Sequence, residues 1–462
     1  MTAHQSDYGT GSVLKSIVDA AVPLTLAQML NLLYNIVDRI YIGHIPVVGD
    51  VALSGLGLCF PVISLVAAFS MLFGANGGAP LAAMERGAGR QEEAERIMGT
   101  AFFMLVAVGL VLTGLGLLLC EPMLYAFGAS DVTYPYARDY LNIYLLGSVP
   151  VLITLGMNSF INAQGFPRVG MMTVVIGALL NVALDPILIF ALDLGVKGAA
   201  IATVFSQTVS AVWVLKFLTG RQVELRLKVE RMKLEAARLR RLVTLGTSGF
   251  VMGVTNSLVQ MVCNKMAYQY GGDLYVGVMT VLNSVREVFN TPVMGFSSGA
   301  VPVMSYNYGK KAYVRVRLAI RYVTFIGLGL AFSLWIIIVL FPAFFIHLFN
   351  SKPQLLEAGV PAMHVYFFGF FMMAFQMSGQ NTFVALGKAK HAIFFSLFRK
   401  VIIVVPLTLL LPGLWGLGVT GVLLAEPISN FVGGLACYCT MRHVVFPELQ
   451  EGAQLEEMKK SG

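Results

Sequence analysis

Apolar runs of about 20 residues recur along the whole chain, each long enough to cross a hydrocarbon core of roughly 30 Å, with short polar stretches between them. Ile97–Cys120, Val169–Leu192, Tyr322–Phe345 and Ala392–Leu411 are examples. The runs are continuous rather than alternating, which predicts helices that satisfy their own backbone and not the strands of a barrel. About twelve spans are expected, near residues 16–42, 51–78, 97–120, 137–160, 170–192, 198–219, 242–269, 275–305, 319–342, 362–385, 393–412 and 417–440. The predicted fold is an all-α integral membrane protein.

Composition agrees: 57% of the 462 residues are hydrophobic and 12% are charged, with mean hydropathy +0.76. The loops after even-numbered spans hold Arg86, Arg90, Arg96, Arg168, Lys310, Lys311, Arg315, Arg317, Lys388 and Lys390, whereas His44–Asp50 and Gly413–Thr420 contain no Lys or Arg. The positive-inside rule then makes the even loops and both termini cytoplasmic. The net charge of +8 therefore reports topology and not nucleic-acid binding. Cys59, Cys120, Cys263, Cys437 and Cys439 lie in or beside apolar segments and read as small core residues, not as disulfides or metal ligands. Met1–Thr10 shows no charged n-region or cleavage site, so no signal peptide is expected.

The two halves repeat. Gly195-Val196-x-Gly198-x-x-x-Ala202-x-x-x-Ser206 recurs as Gly418-Val419-x-Gly421-x-x-x-Ala425-x-x-x-Ser429, Gly77-x-x-Pro80 with Gly87 recurs as Gly299-x-x-Pro302 with Gly309, and Ala163-x-Gly165 recurs as Ala385-x-Gly387. The shared offset predicts two pseudo-symmetric lobes of six helices in the same orientation, with substrate between them. Residues 1–219 form the expected N-lobe and 242–462 the C-lobe, joined by a basic cytoplasmic linker, 220–241, that is read as a tether or an interfacial helix.

Two acids fall inside spans. A carboxylate there costs at least a few kcal/mol, roughly 2.5–3.5 on insertion scales, so Asp38 and Asp185 are candidate functional groups. Gln28, Asn31, Asn35 and Asp38 share one face of the first span, and Asn181 and Asp185 share a face of the fifth. Pro186 frees the Val182 carbonyl as a further acceptor. Topology puts Asp38, Asn181, Asp185 and Thr203 at similar depth in the outer half of the membrane. Neighbouring carboxylates in low dielectric cannot both ionise cheaply, so a proton or a cation would settle between them. The alternative is two separate carboxylates, each paired with Arg39 or a backbone amide. Asn158, Asn162, Asn256, Gln260, Asn283, Glu287, Gln376, Gln380 and Glu426 are candidate cavity-lining residues; hydrogen bonding between helices is the other reading. Glu287 has Arg286 and Arg399 as candidate partners.

Gly295-Phe296-Ser297-Ser298-Gly299 and Gly246-Thr247-Ser248-Gly249 match short serine-hydrolase patterns, but small residues abound at membrane helix contacts and neither follows a strand. The sequence has no Walker A motif and no metal cluster, so no cofactor or catalytic residue is expected, and an ion gradient would supply the driving force.

Tyr34-Asn35-Ile36-Val37-Asp38-Arg39-Ile40-Tyr41-Ile42-Gly43, Gln164-Gly165-Phe166-Pro167-Arg168, Asn181-Val182-Ala183-Leu184-Asp185-Pro186, Gly195-Val196-Lys197-Gly198-Ala199-Ala200-Ile201-Ala202-Thr203 and Tyr306-Asn307-Tyr308-Gly309 together resemble multidrug and toxic compound extrusion (MATE) transporters, nearest their DinF-like and MepA-like branch. The resemblance covers about residues 16–442. It implies a V-shaped cavity between lobes and export of amphipathic, often cationic compounds in exchange for H⁺ or Na⁺. It assigns Asp38, Asn181, Asp185 and Thr203 to an amino-terminal-lobe cation site and Pro23 to a bend in the first helix. The acids that part of the family carries on helices seven and ten are not matched, since Asn256, Gln260 and Gln376 stand there. Paired carboxylates favour H⁺, while the four-oxygen set keeps Na⁺ open. The expected partners are small amphipathic or cationic substrates and membrane lipid, for a monomer in a prokaryotic inner membrane. A lipid-linked oligosaccharide flippase of the same superfamily ranks second, because few basic residues other than Arg286 and Arg399 lie in the spans. A membrane enzyme or a channel ranks lower.

Overall fold

The computed structural model describes residues 5–232, 234–349, 353–414 and 416–461, and among them there are helices and connecting turns but no strand. The long helices are α1 (Val13–Gly43), α2 (Gly49–Gly87), α3 (Gln91–Leu118), α4 (Tyr134–Leu146 and Ser148–Ala163, meeting at 57°), α5 (Pro167–Ala191) and α6 (Gly195–Thr219). A continuous helical stretch, Ala236–Gly309, follows. Its 74 residues would extend about 110 Å at 1.5 Å per residue, several times a roughly 30 Å hydrocarbon core. It breaks at Gly272, whose φ of +65° and ψ of −166° only glycine adopts readily, giving α7 (residues 236–271) and α8 (residues 273–309). Then come α9 (Tyr313–Leu340), α10 (Pro353–Tyr366 and Phe370–Ala385, meeting at 40°), α11 (Ala389–Gly413) and α12 (Val419–Leu455). The twelve helices match the expected spans.

Within one lobe α1 packs on α5, α5 and α4 on α6, and α3 on α4; within the other, α12 packs on α10 and α11, and α9 on α10. Two helices are shared. The first turns of α1, with Val13, Ile17, Ala20 and Ala21, are buried in the apolar core of α8, α9, α10 and α12. Reciprocally, Leu242 and Leu245 at the start of α7 lie in the N-lobe core. The lobes are thus interlocked at the end of the bundle that carries the basic loops.

A tight crossing there joins α2 to α8. A Cβ on Gly87 would stand 2.0 Å from the Tyr306 carbonyl oxygen, and one on Gly309 would stand 1.8 Å from that of Met84. These glycines occupy equivalent positions of the repeat, so one duplicated small residue sets backbone contact from both sides.

Of the two readings of the linker, the structure shows the tether. It is no interfacial helix: α7 begins at Ala236, and the preceding segment is irregular with one 3-10 turn, Val229–Arg231. Val223, Leu225 and Leu227 are buried against the N-lobe. Its charges pair with the ends of α2 and α3: Arg86–Glu224 at 2.6 Å, Lys228–Glu95 at 3.1 Å, Arg241–Glu85 at 3.1 Å and, from the first turn of α7, Arg238–Glu93 at 2.9 Å. In three of these pairs a linker cation meets an acid of α2 or α3, and in the fourth Glu224 of the linker meets Arg86, so the basic run is a strap ion-paired to the N-lobe.

A second strap precedes α1. On the N-lobe side the Ser6 amide donates to the Gly165 carbonyl at 2.7 Å, and the Tyr8 hydroxyl to the Asn162 carbonyl at 2.8 Å. On the C-lobe side Asn307 Nδ2 donates to the Tyr8 carbonyl at 2.7 Å, while the Arg315 guanidinium donates to the carbonyls of Tyr8, Thr10 and Gly11 at 2.7–3.1 Å.

Replacing Gly309 by Val is expected to lower stability by about 1–3 kcal/mol through overpacking, seen as a reduced thermal midpoint in detergent, while Gly57→Ala, where nothing lies within 4 Å, changes little. Arg315→Ala removes charge-assisted bonds each worth about 1.5–3 kcal/mol. Hydrogen exchange at the Ser6 amide should then rise about tenfold or more. Unchanged exchange would mean the strap is held without Arg315.

Candidate functional site

Asp38 lies five residues before the end of α1, on the face turned to α5 and α6, and is 7% exposed. Asp185 is fully buried and precedes Pro186, after which α5 widens into a π-turn, Ile187–Ala191. π-turns often sit at functional sites because they re-aim side chains. The two carboxyls adjoin one another. Asn181 Nδ2 stands 3.4 Å from both Asp185 Oδ1 and Thr203 Oγ1, which brings the fourth candidate into the cluster.

One oxygen on each of Asp38, Asp185 and Asn181 is buried with no hydrogen-bond partner. Among the described residues no Lys or Arg is within ion-pair distance of either acid; Arg39 instead lies over the Phe60 ring, 4.6 Å from its centre. The reading in which each aspartate has its own structural partner therefore fails. Two carboxyls this close cannot both stay bare anions in a buried site. The cluster has the oxygen set to hold a proton or a small hard cation.

Pro23 is buried inside α1, and the helix runs through it without interruption. Of the remaining stripe on α1, Asn31 is exposed, Gln28 is half-buried with its Oε1 lacking a partner, and Asn35 Nδ2 donates to the Asn31 carbonyl at 2.7 Å.

Other candidates separate into two groups. Asn158 donates to the Gly170 carbonyl at 3.0 Å, Asn162 lies against Gly170, Gln376 donates to the Phe395 carbonyl at 3.4 Å, and Gln380 bonds Ala392 and Ser396 at 2.9 Å. These four are committed to helix–helix contacts instead of a cleft. Asn256, Gln260, Asn283 and Glu426 do line one cavity, within the C-lobe. Glu287 does not join them: it is exposed, and Arg286 and Arg399 both pair with Glu426 instead. Lys400, which sequence reasoning misses, also reaches Glu426 at 3.2 Å. The signal that could have found it is two adjacent cations eleven residues into an apolar span.

Asn31 on α1 and Asn256 and Gln260 on α7 are exposed midway along their helices. Mid-span amides do not face lipid. Asn256 and Gln260 open into the C-lobe cavity, and the interlocked helices and the strap before α1 hold the lobes together at the basic end.

The MatE family model matches residues 23–187 and 250–410. A multidrug export protein MepA of Staphylococcus haemolyticus is 24% identical over 434 residues, covering 92% of this chain and 94% of that one. An FAD transporter of Shewanella oneidensis is 25% identical over 440 residues, covering 93% and 95%. A crystal structure of a MATE protein in the straight conformation superposes with a TM-score of 0.91 at 21% identity, over 98% of this chain and all of that one. The chain belongs to the MatE family, whose members are membrane transporters.

Proposed function

We propose that this protein is a secondary active exporter of amphipathic compounds, cations among them, driven by H⁺ or Na⁺ through the site at Asp38 and Asp185. The observation that carries the reading is the pair of adjoining carboxyls with orphaned oxygens, one of them on α1. The relative named for multidrug export favours export as the direction of work. By the positive-inside rule the basic end faces the cytoplasm of a prokaryotic cell, with both termini there.

The mechanism follows from α1 belonging to both lobes. Its first turns are embedded in the C-lobe core, and its last third presents Asp38 to Asp185 in the N-lobe. When the site is empty and charged, repulsion between the acids disfavours close packing of α1 on α5. A proton or Na⁺ delivered from outside removes that repulsion, and α1 tightens against α5. Because the other end of α1 is fixed in the C-lobe, this movement levers the lobes and expels substrate outward. Pro23 removes one backbone hydrogen bond between the two ends and lowers the stiffness of the lever. Asp38, Asp185, Asn181 and Thr203 supply the oxygens that would hold the ion.

The test is ethidium uptake into proteoliposomes whose protein has its basic end outward, with an H⁺ or a Na⁺ gradient, high in the lumen, imposed singly. Asp38→Asn and Asp185→Asn are expected to fold yet lose transport by at least about tenfold. Wild-type rates in both variants would sink the proposal. Thr203→Val removes an oxygen but no proton-binding group. It should spare H⁺-driven uptake and raise the Na⁺ requirement if Na⁺ is the driver, so the variant names the ion independently.

A further inference from the structure

The C-lobe contains a charge cluster that ion coupling in the N-lobe does not use. Arg286 Nη1 from α8, Arg399 Nη1 from α11 and Lys400 Nζ from α11 converge on one oxygen, Glu426 Oε1 on α12, at 3.1, 3.1 and 3.2 Å. Lys400 Nζ also reaches Oε2 at 3.4 Å, and Arg399 Nη1 donates to Asn430 Oδ1 at 2.6 Å. A π-turn, Phe398–Val404, carries both α11 cations, and Lys400 is 6% exposed.

Among the described residues, Glu426 is the one carboxylate within ion-pair distance of the three. Three cations against one carboxylate leave a formal surplus of two positive charges, and of one even with Lys400 neutral. A structural ion pair has no use for that surplus. Placing each extra ion away from water is costly unless a counter-charge meets it.

The surplus faces space. A cleft is lined by Arg286, Lys400, Glu426, Asn283, Asn256 and Gln260, and the last two are exposed on the α7 face. The Tyr366 hydroxyl donates to Asn283 Oδ1 at 3.2 Å and closes one wall, with Arg286 5.9 Å above the tyrosine ring.

The cavity also occupies the repeat position of the N-lobe site. Gln260 or Met261 stands where the repeat puts Asp38, and Glu426 where it puts Thr203. One duplicated architecture holds an acid pair in the first lobe and a cation cluster in the second.

We propose that this C-lobe cavity binds the acidic group, phosphate or carboxylate, of a soluble amphipathic substrate, so that the protein handles anions as well as cations. Arg286 and Lys400 contact the anion, while Glu426 and Arg399 hold them in place. The proposal rests on the transport reading only for the steps after binding. Binding is therefore measured on the purified full-length protein in neutral detergent, with no gradient.

The probes are flavin mononucleotide, riboflavin, which has the same ring without the phosphate, and ethidium. Flavin mononucleotide is expected to bind about tenfold or more tightly than riboflavin, the difference one or more charge-assisted hydrogen bonds implies. Arg286→Gln and Lys400→Gln should each erase most of that preference and leave ethidium binding unchanged. Equal affinities for the two flavins in the wild type, or a preference that survives both substitutions, would overturn the assignment. Should a variant also lose ethidium, and so have misfolded, the wild-type comparison still decides. Displacement of flavin mononucleotide by short-chain phosphatidylglycerol but not by adenosine monophosphate would give the site to a lipid headgroup and refute a soluble substrate.

Discussion

Hydrocarbon offers no hydrogen bond, and most of this architecture answers that one fact. Each backbone polar group within the membrane must be satisfied by the chain itself, which leaves helices as the building unit and forces irregular backbone into protected places. The π-turns after Pro186 and at Phe398–Val404 are such places, and each lies beside a charged cluster. The same fact makes charge informative. Asp38 with Asp185, and Arg286, Arg399 and Lys400 with Glu426, form two compact groups, each at a packed junction of helices, while Glu287 stands apart.

The interlocking of α1 and α7 gives the two lobes a common frame. Because each helix begins in one lobe's core and continues along the other, the lobes cannot drift apart at the basic end without exposing Ile17, Ala21, Leu242 and Leu245. Burying a side chain of this size contributes about 1.5–3 kcal/mol for the larger ones. Relative motion is thereby confined to tilting about that end. A chemical event at Asp38, near the far end of α1, has mechanical leverage because the near end is anchored.

Much of this was legible in the sequence, and the reasons differ by residue. The twelve helices follow from runs of apolar residues that only a spanning helix explains. Asp38 and Asp185 announce themselves because a carboxylate is so unfavourable in that setting. The amides were ambiguous for a converse physical reason: Gln380 bonded to Ala392 and Gln260 open to a cavity look identical in a sequence, since both are polar groups that need a partner. Glu287 attracted attention through its neighbours in sequence, yet one step along a helix turns a side chain by about 100°, and Arg286 points to Glu426 while Glu287 does not. Lys400 acquires meaning only when α8, α11 and α12 are brought together. The linker's role as a strap was likewise invisible, because its acids sit more than a hundred residues upstream.

The strap before α1 has a bearing on biogenesis. Ser6 and Tyr8 leave the ribosome well before Asn307 and Arg315, partners of Tyr8 made some three hundred residues later. The strap must wait, unseated on that side, until α8 and the start of α9 have been made, and its docking then joins both halves. An affinity tag fused ahead of Gln5 would burden that last step, whereas one placed after α12 would leave it alone.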